Sequence, residues 1–213
     1  EPGYATVRRR FVVAGTLHAA LENALDVPHT AFLHRGLFRG GRAPVPIDVI
    51  VRHRAGAVEA EYLGEPRPQG LAGRLLAPEG GVVSHVDRFV APSLAQVEYR
   101  LGANHLVVTT AFTPVGDHET AGHSAITFKL RVATPLVRAA VGPVAQRILA
   151  QDAMILEGQS ATIRAFGGEQ FASTRLDTLG SHIGRMLRRL ERGQAGEGDD
   201  GDPPQESRFT IRV

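Results

Sequence analysis

Residues 26 to 34 read DVPHTAFLH and set one carboxylate and two imidazoles, Asp26, His29 and His34, within nine positions. Two imidazoles and a carboxylate are the donor set of the facial triad that holds Fe(II). It leaves three positions on the metal open for dioxygen and for water or substrate, and it needs no thiolate. The spacing is unusual. Zinc peptidases set two histidines four apart, one helical turn, whereas His29 and His34 are five apart, about 140° around a regular helix. Both reach one metal only where the backbone leaves the helix. Pro28 gives a reason for that, because it lacks a backbone donor, and Asp26 can accept from exposed N–H groups. The competing account is a helix end capped by Asp26, with two of the chain's nine histidines beside it by coincidence.

Any such site needs a frame. TVRRRFVV (6–13) predicts a strand, and residues 16–25, with Leu17, Leu21, Ala24 and Leu25 at helical spacing, predict a helix that Asp26 and Pro28 interrupt. Residues 35–46 are rich in glycine and proline and read as loop. IDVIVRH (47–53) and VEAEYL (58–63) flank Ala55-Gly56 as a hairpin, and residues 64–81 read as a long loop. VVSHVDRFV (82–90), AQVEYRL (95–101), HLVVTTAF (105–112) and HSAITFKLRV (123–132) are strands spaced as in an antiparallel meander. From Pro135 to Ile163 the apolar period changes to three or four, which predicts one long helix or two broken near Gly142-Pro143. A shorter helix is expected at 176–191. Residues 193–213 are expected to form a flexible tail, although SRFTIRV (207–213) alternates like a strand with no evident partner. The plan is an α+β domain, an antiparallel sheet with a long C-terminal helix, over residues 1–192.

Composition narrows the function classes. The 213 residues carry 43% hydrophobic and 22% charged residues, as a globular protein does, and a formal charge of +2. Of 24 basic residues only Lys129 is lysine. The arginines are dispersed except at Arg8-Arg9-Arg10 and at Arg185, Arg188, Arg189 and Arg192. Neither cluster interleaves aromatics, so no nucleic-acid partner is expected. There is no cysteine, which removes disulfides, thiolate metal sites and cysteine-held iron–sulfur clusters from the chain itself. No apolar run reaches the roughly 18 residues of a membrane span and no signal-peptide pattern opens the chain, so a cytoplasmic location is expected. The chain opens on Glu1 rather than methionine, which suggests a segment of a longer protein.

Glu22-Asn23-x-x-Asp26-x-x-His29-x-x-x-x-His34 resembles the iron motif of the Rieske non-haem iron oxygenase catalytic domain, in the branch of pheophorbide a oxygenase and vanillate O-demethylase. The strand order and long helix are similar to that family's helix-grip, Bet v 1/START-like fold over roughly residues 5–192. The resemblance implies Fe(II) held by His29, His34 and a downstream aspartate. Asp152, in QDAMILEGQ, matches in place and context, with Glu157 as the second candidate. By the same resemblance Asp26 does not bind the metal but bridges an iron-ligand histidine to a neighbouring subunit's Rieske domain, and Asn23 supports the site. Leu156 and Gln159, on the helix face of Asp152, and Phe32 are candidate substrate contacts.

The resemblance further implies a homotrimer, a [2Fe-2S] Rieske cluster that this cysteine-free chain cannot hold, and NAD(P)H-derived electrons passed through a ferredoxin or reductase. The cluster belongs to an upstream segment or to a partner, or it has been lost together with catalysis. The expected activity is hydroxylation or demethylation, with O2, of an apolar aromatic or polycyclic substrate. The alternative is a non-catalytic helix-grip domain that binds a lipid, sterol or pigment. A purely structural assembly domain would show neither metal site nor pocket. The remaining histidines, His18, His53, His85, His105, His118, His123 and His182, read as surface or core residues; those on strands could touch substrate if they face the sheet's concave side. Ser84, Ser93 and Ser124 lack a nucleophile-elbow context, and no P-loop or GxGxxG occurs.

Overall fold

The computed structural model describes residues 2–34, 45–65, 83–131, 134–194 and 206–212. In chain order the elements are β1 (Ala5–Val13), α1 (Leu17–Leu25), α2 (His29–Leu33), β2 (Pro46–Arg54), β3 (Ala57–Leu63), β4 (Val83–Val90), β5 (Leu94–Leu101), β6 (Asn104–Gly116), β7 (Glu119–Lys129), α3 (Thr134–Ala165), α4 (Gly180–Glu191) and β8 (Glu206–Arg212). The strands form one antiparallel sheet in the order β1-β7-β6-β5-β4-β3-β2-β8. The meander β2 to β7 follows sequence order, and the chain's two ends supply the outer strands. Most of the loops expected at 35–46 and 64–81 lie outside the described residues.

One face of the sheet carries the core, and alternation decides which residues reach it. Along β4, Val83, His85, Asp87 and Phe89 are buried, whereas Ser84 faces water. The cross-strand register continues each row: Tyr62 pairs with His85 and His85 with Tyr99, while Val97 pairs with Val108 and Val108 with Ile126. Helix α1 lies on this face with Leu21 and Leu25 buried among Val49, Tyr62, Phe89, Leu156 and Ile183. Truncating Leu21, fully buried, to alanine would cost about 2–5 kcal/mol. Thr16 caps α1 by accepting from the Ala19 amide at 3.1 Å, a bond worth about 1 kcal/mol.

Three expectations are sharpened. The long helix is single: α3 runs 32 residues with Pro143 inside it. Pro143 and Ala139, whose carbonyl loses its partner, are both exposed, so water can take over the lost hydrogen bond. The shorter helix starts at Gly180, four residues later than expected. Finally, the segment expected to be a flexible tail ends in an ordered strand. β8 pairs with β2 from Pro46↔Arg212 to Arg52↔Glu206, which supplies the partner that SRFTIRV lacked in sequence. No described helix is long and apolar enough to cross a membrane.

Candidate metal centre

The stretch that carries the two histidines is built by two helix breaks. Helix α1 ends at Asp26 in extended backbone, φ −89° and ψ 108°. Val27 and Pro28 turn the chain, and α2 restarts with the Thr30 amide on the Val27 carbonyl and the Ala31 amide on the Pro28 carbonyl, both at 3.2 Å. Asp26 Oδ2 accepts from the His29 backbone amide at 3.1 Å, so it tethers the start of α2. The departure that lets both imidazoles converge lies at His34 rather than at Pro28. His34 leaves helical backbone at φ −103°, ψ 38°, which swings its ring back toward His29.

The result is a tight cluster. His29 Nε2 and His34 Nε2 are 3.2 Å apart, and Asp152 Oδ1 on α3 lies 3.2 Å from His34 Nε2 and 3.7 Å from His29 Nε2. Metal–ligand bonds of about 2.1 Å at right angles set neighbouring ligand atoms about 3 Å apart, so three such separations describe one face of an octahedron. Asp152 Oδ1 is buried yet makes no aligned hydrogen bond, an orphaned acceptor that a cation would satisfy. Among the described residues, His29, His34 and Asp152 are the group whose donor atoms could hold one ion. The nitrogen and oxygen donors, without sulfur, fit Fe(II).

The surroundings orient the donors. Gln151 Oε1 lies 3.0 Å from His34 Nδ1; accepting from Nδ1–H leaves Nε2 as the lone-pair atom that faces the cluster. Burial disfavours a charged His34, but the Asp152 carboxylate and the Gln151 amide outweigh it and hold its pKa above the ordinary value. Asp26 Oδ2 sits 3.5 Å from His29 Nδ1, within ion-pair reach of the outer edge of that ring and away from the three converging atoms. Gln151 was not among the sequence candidates. Its only sequence signal was an amide next to the proposed aspartate.

The cluster stands at the wall of an apolar cavity of about 250 Å³ between α1, α3 and the sheet. Asn23 and Leu156 line it, as do Tyr99 and Phe112 from the sheet. A second, more open cleft lies on the other side of His29, with Asn23, Asp26, Met154 and Gln159 on its wall. His29 and Asn23 therefore form a partition between the two. Gln159 faces the outer cleft rather than the cavity, and Phe32 is 73% exposed and lines neither, so neither side chain takes the substrate-facing position expected of it. The reason for Phe32 is the short α2, whose outer face it occupies. Glu157 is exposed and outside the cluster.

Other histidines stay out of the cavity. His85 is held between Glu65 and Asp87 at 2.6 and 2.9 Å, His105 between Tyr4 and Glu98 at 2.7 and 3.0 Å, and His53 packs at a tilt against His182. His18 pairs with Glu169.

Comparison with known proteins adds a family. Residues 13–193 match the model of the vanillate O-demethylase oxygenase C-terminal domain. No curated protein sequence matches the chain. Among solved structures, NdmA of Pseudomonas putida CBB5 with caffeine is similar at 20% identity and a TM-score of 0.67, over 94% of this chain and 55% of that one. Dicamba monooxygenase bound to dicamba is similar at 18% identity and a TM-score of 0.73, over 92% of this chain and 60% of that one. At these identities the likeness establishes a shared fold, and the chain spans little more than half the length of either protein.

Proposed function

The chain belongs to the vanillate O-demethylase oxygenase C-terminal domain family, the catalytic domain of Rieske-type oxygenases, and from that premise we propose that it is an iron- and O2-dependent oxygenase domain. It hydroxylates or demethylates an apolar, aromatic or polycyclic molecule. The observation that carries this is the convergence of His29 Nε2, His34 Nε2 and Asp152 Oδ1 at the wall of an apolar cavity. A cavity alone would also suit a non-catalytic binder of hydrophobic ligands. Two imidazoles converging on a carboxylate whose buried Oδ1 lacks an aligned hydrogen bond have no use in such a binder and a direct one in holding Fe(II).

Bound Fe(II) would supply the binding and activation of dioxygen. The protein's own residues do the rest. His34, 2% exposed and fixed through Gln151, and Asp152 hold the inner side of the site. Leu156, Phe112 and the other apolar walls desolvate the substrate and exclude bulk water. Asp26 fixes the backbone of His29 and opens onto the outer cleft, where Met154 and Ile155 are exposed. That arrangement supports Asp26 as the point where a donor domain delivers electrons.

The chain has no cysteine, so the [2Fe-2S] cluster lies outside these 213 residues. Electrons from NAD(P)H would reach it through a ferredoxin or reductase, in a trimer whose subunits exchange electrons across the Asp26 face.

Nitric oxide, a dioxygen surrogate, tests the reading. Anaerobic protein reconstituted with Fe(II) should give the electron paramagnetic resonance signal of a high-spin ferrous nitrosyl. Protein that binds iron but gives no such signal has no open position for dioxygen, and the oxygenase reading fails.

A further inference from the structure

Between α3 and α4 the chain crosses the surface as a strap. It leaves α3 through Gly167 and Gly168, at φ +77° and +144°, backbone that only glycine takes without strain. It enters α4 at Thr178 and Leu179, which are buried. Near that end it closes a turn on itself, with the Asp177 amide on the Thr174 carbonyl at 3.2 Å and the Leu176 amide on Thr174 Oγ1 at 3.1 Å. From Glu169 to Leu176 every residue except Phe171 is exposed.

The strap is fastened at the start of α1. Glu169 Oε2 lies 3.1 Å from His18 Nδ1, and Glu169 Oε1 accepts from the Thr16 hydroxyl. The Phe171 ring packs at a tilt on the His18 ring, with centroids 5.4 Å apart. Among the described residues, these two bonds of Glu169 are the hydrogen bonds that join residues 169–176 to the rest of the molecule. On its other side His18 Nε2 lies 3.2 Å from the Gly180 carbonyl, in the first turn of α4. An ionised carboxylate and a carbonyl can only accept, so the ring satisfies both partners only when both its nitrogens carry hydrogen. Burial disfavours that charge, but the Glu169 carboxylate and the Gly180 carbonyl outweigh it and hold the His18 pKa above its ordinary value. His18 in turn holds the Glu169 carboxyl below its own ordinary value.

Few other charges surround the ring. Glu22, one turn along α1, attracts it and rests its carboxylate against Gly180. Asp177 of the strap acts on Glu22, and His118 of the β6–β7 turn acts on Glu169. Arg188 of α4 and the His18 ring both lie against Gly184. Glu169 is the one of these groups that both binds His18 and belongs to the strap. Beneath the strap is the outer cleft, lined by Gln170, Phe171 and Ser173 together with Asn23, Asp26 and His29.

We propose that residues 167–177 are a proton-gated strap: charged His18 holds it down on α1 and narrows the cleft beside Asp26, and loss of the His18 proton lets it swing out on Gly167 and Gly168. A neutral imidazole has one N–H for two acceptors. The Gly180 carbonyl is buried, whereas Glu169 can turn to water, so Glu169 is the partner released. Because the folded state raises the His18 pKa, the strap is held below the ordinary value of about 6.5 and is freed as pH rises through the raised one. What the opened cleft admits, a donor domain that meets Asp26, rests on the oxygenase reading; the latch itself does not.

The chain has no cysteine, so two spin labels can be attached without background. Ala172→Cys places one on the exposed strap, and Gly158→Cys places the other on α3, where an added Cβ meets nothing within 4 Å. Both positions line the outer cleft. Double electron–electron resonance on the whole labelled chain then reads the distance between them across a pH series. The distance should be short and narrowly distributed at low pH and shift to a longer, broader distribution as pH rises, with a midpoint above the roughly 6.5 of an ordinary histidine. His18→Arg, a permanent cation, should keep the short distance throughout. His18→Gln should show the long one throughout, and Glu169→Gln should move the midpoint to lower pH. A distance indifferent to pH, a shift that survives in His18→Arg or His18→Gln, or a midpoint unmoved by Glu169→Gln overturns the proposal. Absence of iron binding with the His18-dependent shift intact would overturn the oxygenase reading alone.

Discussion

His29 Nε2 and His34 Nε2 face each other at 3.2 Å although they are five positions apart in sequence. A regular helix would hold the two rings about 140° apart. The contact exists because α2 is only five residues long and His34 lies beyond its end in non-helical backbone. The pair is therefore a product of where the helix stops, and the predictions below follow from what holds it.

Gln151 sets the ring of His34. Gln151→Leu removes the acceptor at 3.0 Å from Nδ1 and should weaken Fe(II) binding about 10- to 100-fold. Gln151→Glu, which can still accept, should restore much of it. Anaerobic Fe(II) titration of the three proteins is the check. Equal affinities would mean that the amide does not orient the ring.

Asp26 should separate metal binding from electron supply. Asp26→Asn keeps an acceptor for the His29 amide, so iron content should stay at the wild-type level. Turnover coupled to a Rieske-type electron donor should fall by an order of magnitude or more, because the charged bridge at the outer cleft is gone. Iron content and donor-coupled oxygen uptake, measured on the same preparation, decide it. Unchanged uptake would remove Asp26 from the electron path.

The buried group Glu65–His85–Asp87 gives a pH dependence of stability. His85 stacks between Tyr62 and Tyr99 at 4.7 and 4.0 Å. Burial opposes its charge, but Asp87 and Glu65 outweigh that and raise its pKa to about 9. A raised imidazole pKa adds stability that is complete below the unfolded value near 6.5 and is lost as pH rises through about 9. The melting temperature should therefore decline between pH 7 and pH 10. His85→Gln should flatten that decline and cost about 3–5 kcal/mol at neutral pH, by leaving carboxylates buried without their cation. An equal decline in the variant would assign the effect to other groups.

Gly122 should be intolerant of a side chain. Phe11 and Phe112 pair edge to face over its row, and a Cβ there would run into the Phe11 ring. Gly122→Ala should cost about 1–3 kcal/mol and weaken binding of apolar probes, both readable in thermal melts with and without 2-naphthamide. An unchanged melting temperature would show that the ring moves aside freely.

Much of this was legible in sequence, for identifiable reasons. Strands β2 to β7 announce themselves by alternation and by turns such as Ala55-Gly56, where the glycine takes φ +65°. The motif around Asp26, His29 and His34 is local, so its spacing could be read directly. What escaped was non-local. Gln151 acquires its role only when α3 is laid against α2, and β8 finds β2 across some 150 residues of chain. Arg9 was hidden by its own neighbours, since in the run Arg8-Arg9-Arg10 alternation along β1 turns only Arg9 toward the cavity. The fate of Phe32 depended on how soon α2 ends, which the pattern of apolar residues does not fix.

The most direct test of the central claim is iron stoichiometry after anaerobic reconstitution and desalting. The wild-type chain should retain close to one Fe(II), and His34→Ala and Asp152→Ala should retain almost none while still folding, as judged by circular dichroism. Wild-type protein without iron, or a folded His34→Ala or Asp152→Ala protein that keeps the full amount, would contradict a metal centre built from His29, His34 and Asp152.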